Sequence, residues 1–134
     1  MAETVEFELV SPAKLLKSEP VEMVVVPGAD GDVGVLPGHS PLIASLRPGT
    51  IDIHAGGKVS ESLFVAGGFV EVSETRCTVL AEEATPVAEL DKAACDQRLT
   101  DAQASLASAE DGAKPAAEKQ VRVAEAMVAA AAKG

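Results

Sequence analysis

The residue types best suited to chemistry are gathered in residues 27–42, which hold four glycines and three prolines. Asp30 and Asp32 have the spacing that opens a calcium-binding loop. The fifth and sixth positions of such a loop are here Gly34 and Val35, so two ligands and the required glycine turn are missing. The sequence therefore predicts a constrained, exposed loop in this segment and no calcium site.

A histidine followed by a serine lies in the same segment. His39 and Ser40 resemble the front of a nucleophile elbow, but Leu42 stands where the closing glycine belongs. The only other histidine is His54, and no Cys-x-x-Cys or His-x-x-x-His pattern supplies partners for a zinc ion. We predict no catalytic residue and no metal site, with His39 in a loop and His54 near a strand end.

Six glutamates before residue 75 mostly alternate with apolar neighbours, which places them on the solvated face of a sheet and not together as an acid and base pair. They are Glu6, Glu8, Glu22, Glu61, Glu71 and Glu74. Glycine pairs occur without a phosphate-loop pattern, so they indicate turns or bulges. Residue chemistry alone favours a non-enzymatic interaction protein.

Composition narrows the class of protein further. The 134 residues suit one domain with an appendage, and a net charge of −10 argues against nucleic acid as a partner. Aromatic residues make up only 2 %, so Val, Leu, Ile and Ala must form the core. No run is long enough for a membrane helix, and no secretory signal is evident, so we expect no direct membrane insertion. Cys77 on a strand and Cys95 on a helix are predicted to be free thiols.

The chain divides near residue 87, because 14 of 17 valines precede residue 88 and 16 of 24 alanines follow residue 87. Short alternating runs between Gly, Pro, Asp and Ser predict an all-β first part, typical of an antiparallel sandwich or barrel. These runs are residues 4–10, 21–26, 49–54, 58–65, 69–73 and 76–81.

The second part, residues 88–134, has apolar or small residues at three-four spacing, which predicts two helices. Gly112 suits a helix end and Pro115 suits the first turn of the next helix, so the two form a helical hairpin. An alanine-rich helix surface buries few methylene groups, so we expect the hairpin to bind the β part only weakly. The predicted stripes are Ala88, Cys95, Leu99, Ala102, Leu106 and Ala109, then Ala117, Val121, Ala124, Val128 and Ala131.

Five ordered motifs resemble one family, the epsilon subunits of the rotary F-type ATP synthase, called delta in mitochondria. The motifs are Phe7-Glu8-Leu9-Val10-Ser11-Pro12, the stretch 31–42, Leu46-Arg47-Pro48-Gly49, the stretch 65–72 and Thr78-Val79-Leu80-Ala81-Glu82. The resemblance covers the whole chain. It implies an α+β protein with an N-terminal ten-stranded antiparallel β-sandwich (residues 1–87) and a C-terminal two-helix antiparallel hairpin (residues 88–134).

The same resemblance implies partners and contact residues. A protein of this family sits at the foot of the central stalk, where it touches the ring of c subunits and the gamma subunit. The resemblance assigns the ring contact to Ala29, Asp30, Gly31 and Asp32, and the gamma contact to His39, Ser40, Pro41 and Leu42. Prolines 37 and 41 suit such a role, because they reduce the entropy lost when a surface is fixed.

The chain departs from the family pattern in the tail. Many bacterial members carry Leu or Ile, Asp, two variable residues, Arg and Ala, a motif that holds ATP with arginine from the second helix. Here Leu90 and Asp91 are present, but Ala94 stands where the arginine belongs. Lys92 lies on another helix face and cannot replace a bidentate guanidinium. We therefore expect a degenerate ATP motif and no cofactor.

The leading hypothesis is a non-catalytic rotor subunit that links gamma to the c ring for proton-driven ATP synthesis. Its tail is a candidate regulator that would contact the alpha and beta subunits. We expect it at the cytoplasmic face of a bacterial inner membrane, or in the mitochondrial matrix of a eukaryote. The alternatives are a β-sandwich ligand-binding or carrier module, which would need a concave apolar pocket, and a small acidic hydrolase.

Overall fold

The computed structural model describes residues 4–133, which form ten strands and two helices. The strands are β1 (Val5–Val10), β2 (Leu15–Val21), β3 (Met23–Gly28), β4 (Gly31–Val35), β5 (Leu42–Leu46), β6 (Gly49–Ala55), β7 (Lys58–Val65), β8 (Gly68–Val72), β9 (Arg76–Ala81) and β10 (Ala84–Pro86). The helices are α1 (Lys92–Ser108) and α2 (Lys114–Lys133). The predicted fold class, a ten-stranded β-sandwich followed by a two-helix hairpin, is confirmed.

The strands pair in the order β10-β7-β6-β3-β5-β8-β9-β1-β2, and β4 pairs with β3 off this path. Neighbours are antiparallel apart from β1 and β9, which run parallel. The sheet folds over on itself, and Lys17 on β2 forms an ion pair of 2.8 Å with Glu61 on β7. The hydrogen bond from Lys17 to Glu61 is the main reason that the pKa of this lysine is raised.

The sandwich core lies between the two layers and follows from strand alternation. Val5, Phe7 and Leu9 point inward from β1 and are almost fully buried, whereas Glu6 and Glu8 between them are partly exposed. The rest of this core is built almost entirely from valine, leucine and isoleucine, as the composition predicts.

The helical hairpin packs against the outer face of the sandwich through a second, separate cluster. Phe64, Ala66 and Val87 of the β part are buried against side chains of both helices. The predicted stripes are partly right, because Cys95, Ala102 and Ala124 are buried. A further buried face of α2 was not predicted, and it consists of Val123, Met127 and Ala130.

Residues 27–42 are only in part the exposed loop system that their glycines and prolines predict, since residues 36–41 form a turn and loop but much of the rest belongs to strands. Five of them form β4, which pairs with β3 from Val24↔Val35 to Gly28↔Gly31. In the connection between the helices, Gly112 lies in a 3₁₀ turn beyond the end of α1 and not at the helix end, whereas Pro115 is in the first turn of α2 as predicted.

Candidate interaction surfaces

The residues assigned to the ring contact, 29–32, lie where β3 turns into β4, and we call residues 28–32 the β3–β4 tip. Ala29 and Asp30 make the turn and are exposed. The prediction that Asp32 lies in a loop is wrong, because it is the second residue of β4. Its carboxylate accepts a hydrogen bond from the guanidinium of Arg47, which lies at the corner between β5 and β6.

The segment assigned to the gamma contact follows a tight turn. The turn is closed by a main-chain hydrogen bond of 3.1 Å, which the His39 N–H donates to the Leu36 carbonyl. Pro37 and Gly38 occupy the two central positions of the turn. Gly38 has a φ of +85°, which a type II turn requires at that place. The Gly38 N–H also donates to the Glu74 carbonyl at 2.7 Å, so the segment is tied to the turn between β8 and β9.

Within this segment the side chains differ in their orientation. The His39 Nδ1 lies 2.6 Å from the Ser40 carbonyl oxygen, which holds the imidazole against its own chain. Ser40 and Pro41 are exposed, but Leu42 is half-buried and packs on the sandwich core. The prediction placed both histidines correctly, with His39 in a loop and His54 one residue from the end of β6.

Alternation along β5 turns Ile43 outward, and its side chain is 73 % exposed. Phe69 on β8 and Leu80 on β9 lie directly opposite each other and are 57 % and 50 % exposed. Val10 is the partner of Leu80 across the parallel pair, and Leu15 is the partner of Val10. We call Val10, Leu15, Phe69 and Leu80 the apolar row, which crosses four neighbouring strands.

The apolar row was missed in the sequence because its members sit inside apolar runs. Phe69 is followed by Val70, and Leu80 lies between Val79 and Ala81, so nothing in composition separates the outward residue from the inward ones. The signal was available in the period of two, since Val70, Val79 and Ala81 are the buried positions. A groove of about 430 Å³ runs beside the row, lined in part by Ser11 and Pro12.

The two assigned contact segments meet at one groove. Its volume is about 510 Å³, and it is lined by residues 28–31 of the β3–β4 tip together with Val33 and the first four residues of β5. The Ala29 N–H donates to the Ser45 carbonyl at 2.9 Å, so the tip is attached to β5 at this groove. The structure therefore brings the tip and Leu42 together, which the sequence did not predict.

The degenerate ATP motif lies at the start of α1. The Asp91 side chain accepts a hydrogen bond from the Ala93 N–H at 3.3 Å and caps the helix. Ala94 is exposed and carries no polar group. Arg122, the candidate cation of the second helix, lines a cavity of about 240 Å³ beside Lys119, and the residues lining that cavity include none of residues 90–94.

Two adjacent carboxylates between β9 and β10 hold the two helices to the sandwich. Glu83 accepts from both terminal nitrogens of Arg98 on α1, at 2.8 and 3.0 Å, and Glu82 pairs with Lys119 on α2. The hydrogen bonds from Arg98 lower the pKa of Glu83. A lowered carboxyl pKa means that this contribution to docking is complete at neutral pH and is lost as the pH falls through the lowered value.

Both cysteines are free thiols, as predicted, with Cys77 on β9 and Cys95 on α1. Burial raises the pKa of Cys77 to about 12, so its reactive thiolate form is rare at neutral pH. Between residues 4 and 133 there is no cluster of three or more His, Cys, Asp or Glu side chains that could hold a metal ion. No helix in that range is long and apolar enough to cross a membrane.

Comparison with known proteins shows the family to which the chain belongs. Residues 4–87 match the model of the ATP synthase Delta/Epsilon chain, beta-sandwich domain. The ATP synthase epsilon chain of Paramagnetospirillum magneticum is 59 % identical over 133 residues, which is 98 % of this chain and 100 % of that protein. The ATP synthase epsilon chain of Rhodospirillum rubrum is 56 % identical over 131 residues, covering 97 % of this chain and 98 % of that one.

Solved structures show the same architecture. A chain of the Euglena gracilis mitochondrial ATP synthase, in a structure of its OSCP, F1 and c-ring, superposes with a TM-score of 0.80 at 27 % identity, covering 95 % of this chain and 81 % of that one. A chain of the Tetrahymena thermophila mitochondrial ATP synthase central stalk and c-ring has a TM-score of 0.66 at 13 % identity, covering 95 % and 96 %. The second likeness shows the fold alone.

Proposed function

Since this chain belongs to the ATP synthase epsilon-chain family, we propose that it links the gamma subunit to the c ring in the central stalk. It is an accessory subunit of the complex and not itself an enzyme. The observation that carries the proposal is identity of 59 % over nearly the whole chain with a protein named ATP synthase epsilon chain. Copurification with gamma and c subunits, followed by proton-pumping assays with and without this chain, tests it.

We assign gamma binding to the face that carries the apolar row and the His39–Leu42 segment. Phe69, Leu80 and Ile43 expose large apolar surface on neighbouring strands, and such patches mark protein interfaces. Aromatic anchors commonly dominate the binding free energy at an interface. Phe69 is the one aromatic residue among the exposed large apolar side chains of residues 4–133, so it is the expected anchor.

We assign ring binding to the β3–β4 tip. Asp30 stands exposed at its end, whereas the Asp32 carboxylate is engaged by Arg47. An exposed carboxylate on a tight turn can pair with polar or cationic groups of a ring of loops. Asp30 is therefore the expected direct contact of the pair.

We expect Asp30→Lys to weaken attachment to the ring while the fold stays intact. The residue is exposed, and surface substitutions usually change the free energy of unfolding by less than ~0.5 kcal/mol. Proton pumping driven by ATP hydrolysis, measured in membranes carrying the variant, should fall much more than thermal stability. Glu118→Lys on the exposed face of α2 makes the same charge change as a control. Equal pumping in the two variants would contradict the assignment.

For the tail, we propose that ATP is not a regulatory ligand of this chain. Asp91 is occupied as a helix cap and Ala94 offers no donor, so the phosphates lack a bidentate partner. We expect a dissociation constant in the millimolar range or weaker by isothermal titration. Ala94→Arg should tighten binding about tenfold or more, since a charge-assisted hydrogen bond contributes ~1.5 to 3 kcal/mol. Ala107→Arg, also exposed on α1, is the control for charge alone. A micromolar constant for the unmodified chain would contradict this reading.

We further propose that residues 1–87 and 88–134 act as separate units, with the hairpin as a regulatory contact for the alpha and beta subunits. Support comes from the two separate buried clusters, one inside the sandwich and one beneath the helices. We also propose the cytoplasmic face of a bacterial inner membrane as its location, on the basis of its membership of the ATP synthase epsilon-chain family. Cosedimentation of the chain with inner-membrane vesicles tests that location.

A further inference from the structure

The β3–β4 tip has an unusual turn for a hairpin. A two-residue connection between antiparallel strands usually takes a primed turn, in which one or both residues have positive φ, because its twist matches that of the strands. Neither Ala29 nor Asp30 has positive φ, and Gly31 after them has a φ of +141°. The turn is therefore not of the primed kind whose twist matches that of the strands, so contacts from outside the hairpin are relevant to the orientation of the tip.

Arg47 supplies such a contact from a distant part of the chain. Its Nη1 donates to the Gly28 carbonyl, at the end of β3, and its Nη2 donates to the Asp32 carboxylate on β4. One planar guanidinium thus spans the two strands of the hairpin next to its tip. A lysine at this position could not make both bonds in that geometry, because its charge is a single ammonium group.

The main chain around Arg47 is itself closely held. The Arg47 N–H donates to the Pro27 carbonyl at 2.9 Å, which joins the corner to β3. A Cβ placed on Gly49 would lie 2.9 Å from the Pro27 Cβ, and one placed on Gly28 would lie 2.5 Å from the Gly31 carbonyl oxygen. The corner is therefore packed closely against Pro27 of β3, and the two strands of the hairpin approach each other closely at Gly28 and Gly31, so the main chain on both sides of the Arg47 contact is closely held.

We propose that Arg47 is a positioning residue, which holds the β3–β4 tip in one orientation so that Asp30 faces the ring, with Asp32 as its anchor. This inference rests on the proposed ring contact. The pair is exposed, with side chains 44 % and 61 % accessible, and exposed ion pairs add little to global stability. Its effect is expected on the local order of the tip and not on the melting temperature.

The test compares Arg47→Lys and Asp32→Asn with Arg76→Ala, which removes another exposed arginine ion pair, the one with Glu8. Amide hydrogen exchange of residues 28–33 in the isolated chain should speed up about two- to fivefold in Arg47→Lys, the range expected of an exposed charge pair, and less in Asp32→Asn. Arg76→Ala should leave the exchange of this segment unchanged.

The second measurement is proton pumping by the assembled ATP synthase containing each variant. Arg47→Lys should reduce proton pumping, as Asp30→Lys is expected to do, although it leaves Asp30 itself unchanged. Unchanged exchange in Arg47→Lys would overturn the positioning role. Faster exchange with unchanged pumping would leave Arg47 as the support of the tip and overturn the ring contact instead, so the two failures are distinguishable.

Discussion

Replacing Gly68 with alanine is expected to destabilise the sandwich by more than ~3 kcal/mol, a large part of the ~5 to 15 kcal/mol that stabilises an ordinary domain. Gly68 opens β8 with a φ of +134°, and an added Cβ would overlap the carbonyl oxygen of Leu80 and lie 3.0 Å from the Ala81 Cα. Those atoms belong to the paired strand β9, so the clash can be relieved only by separating β8 from β9. Urea denaturation followed by circular dichroism measures the loss.

Gly57→Ala is the matched control for this substitution. Gly57 also has positive φ, +78°, but an added Cβ would find nothing within 4 Å. Its cost should be the backbone penalty alone, about 1 to 2 kcal/mol. If both variants lost the same free energy of unfolding, the close approach of β9 would not be the reason for glycine at position 68.

Shortening Phe69 and Leu80 to alanine together is expected to weaken binding to gamma by ~1000-fold. Each is a large, exposed apolar side chain of the apolar row, and the truncation of such anchors commonly costs ~2 kcal/mol or more of binding free energy. Both face outward from the sandwich, so the free energy of unfolding should change by less than ~1 kcal/mol. Titration calorimetry with purified gamma measures the binding.

Val59→Ala serves as the control for this pair, because Val59 is a similarly exposed apolar residue at the far end of the β6–β7 hairpin. It should leave the affinity for gamma unchanged. An affinity unaltered by the double substitution, with the fold intact, would remove the apolar row from the gamma contact and leave the His39–Leu42 segment alone.

The strands that could be predicted are those in which apolar and polar residues alternate regularly enough to outweigh glycine and proline, which indicate loops. β1 is an example, because Val5, Phe7 and Leu9 alternate with polar or less buried residues over the whole strand. β2 carries two adjacent leucines and Pro20 and is mostly exposed, so only its pairing with β1 identifies it. In β4, Gly31 and Gly34 resemble loop residues, and pairing with β3 overrides that local preference.

The candidate sites were less predictable than the fold, because they depend on contacts between distant residues. Asp32 lies in β4, whereas Arg47, fifteen positions later, lies at the corner between β5 and β6. Their hydrogen bond therefore follows only from the topology. The helical register shows the same limit. The apolar spacing of α2 indicates a helix, but the burial of Met127 follows from the docking of α2 on the sandwich, where Met127 joins one cluster with Phe64 of β7.

The parallel pairing of β1 with β9 has a consequence for how the chain is made. Residues 6–10 pair with residues 76–80, so β1, which is synthesised about 70 residues before β9, has one edge uncovered until β9 is made. Until then β1 can pair only with β2, and the hydrogen-bonding groups along its other edge have no partner strand. Contacts between residues so far apart in sequence slow folding, and they prolong the time for which an unpaired strand edge is exposed to other chains. The nascent chain is therefore most prone to aggregate before β9 emerges, and that is the interval in which a chaperone would protect it best.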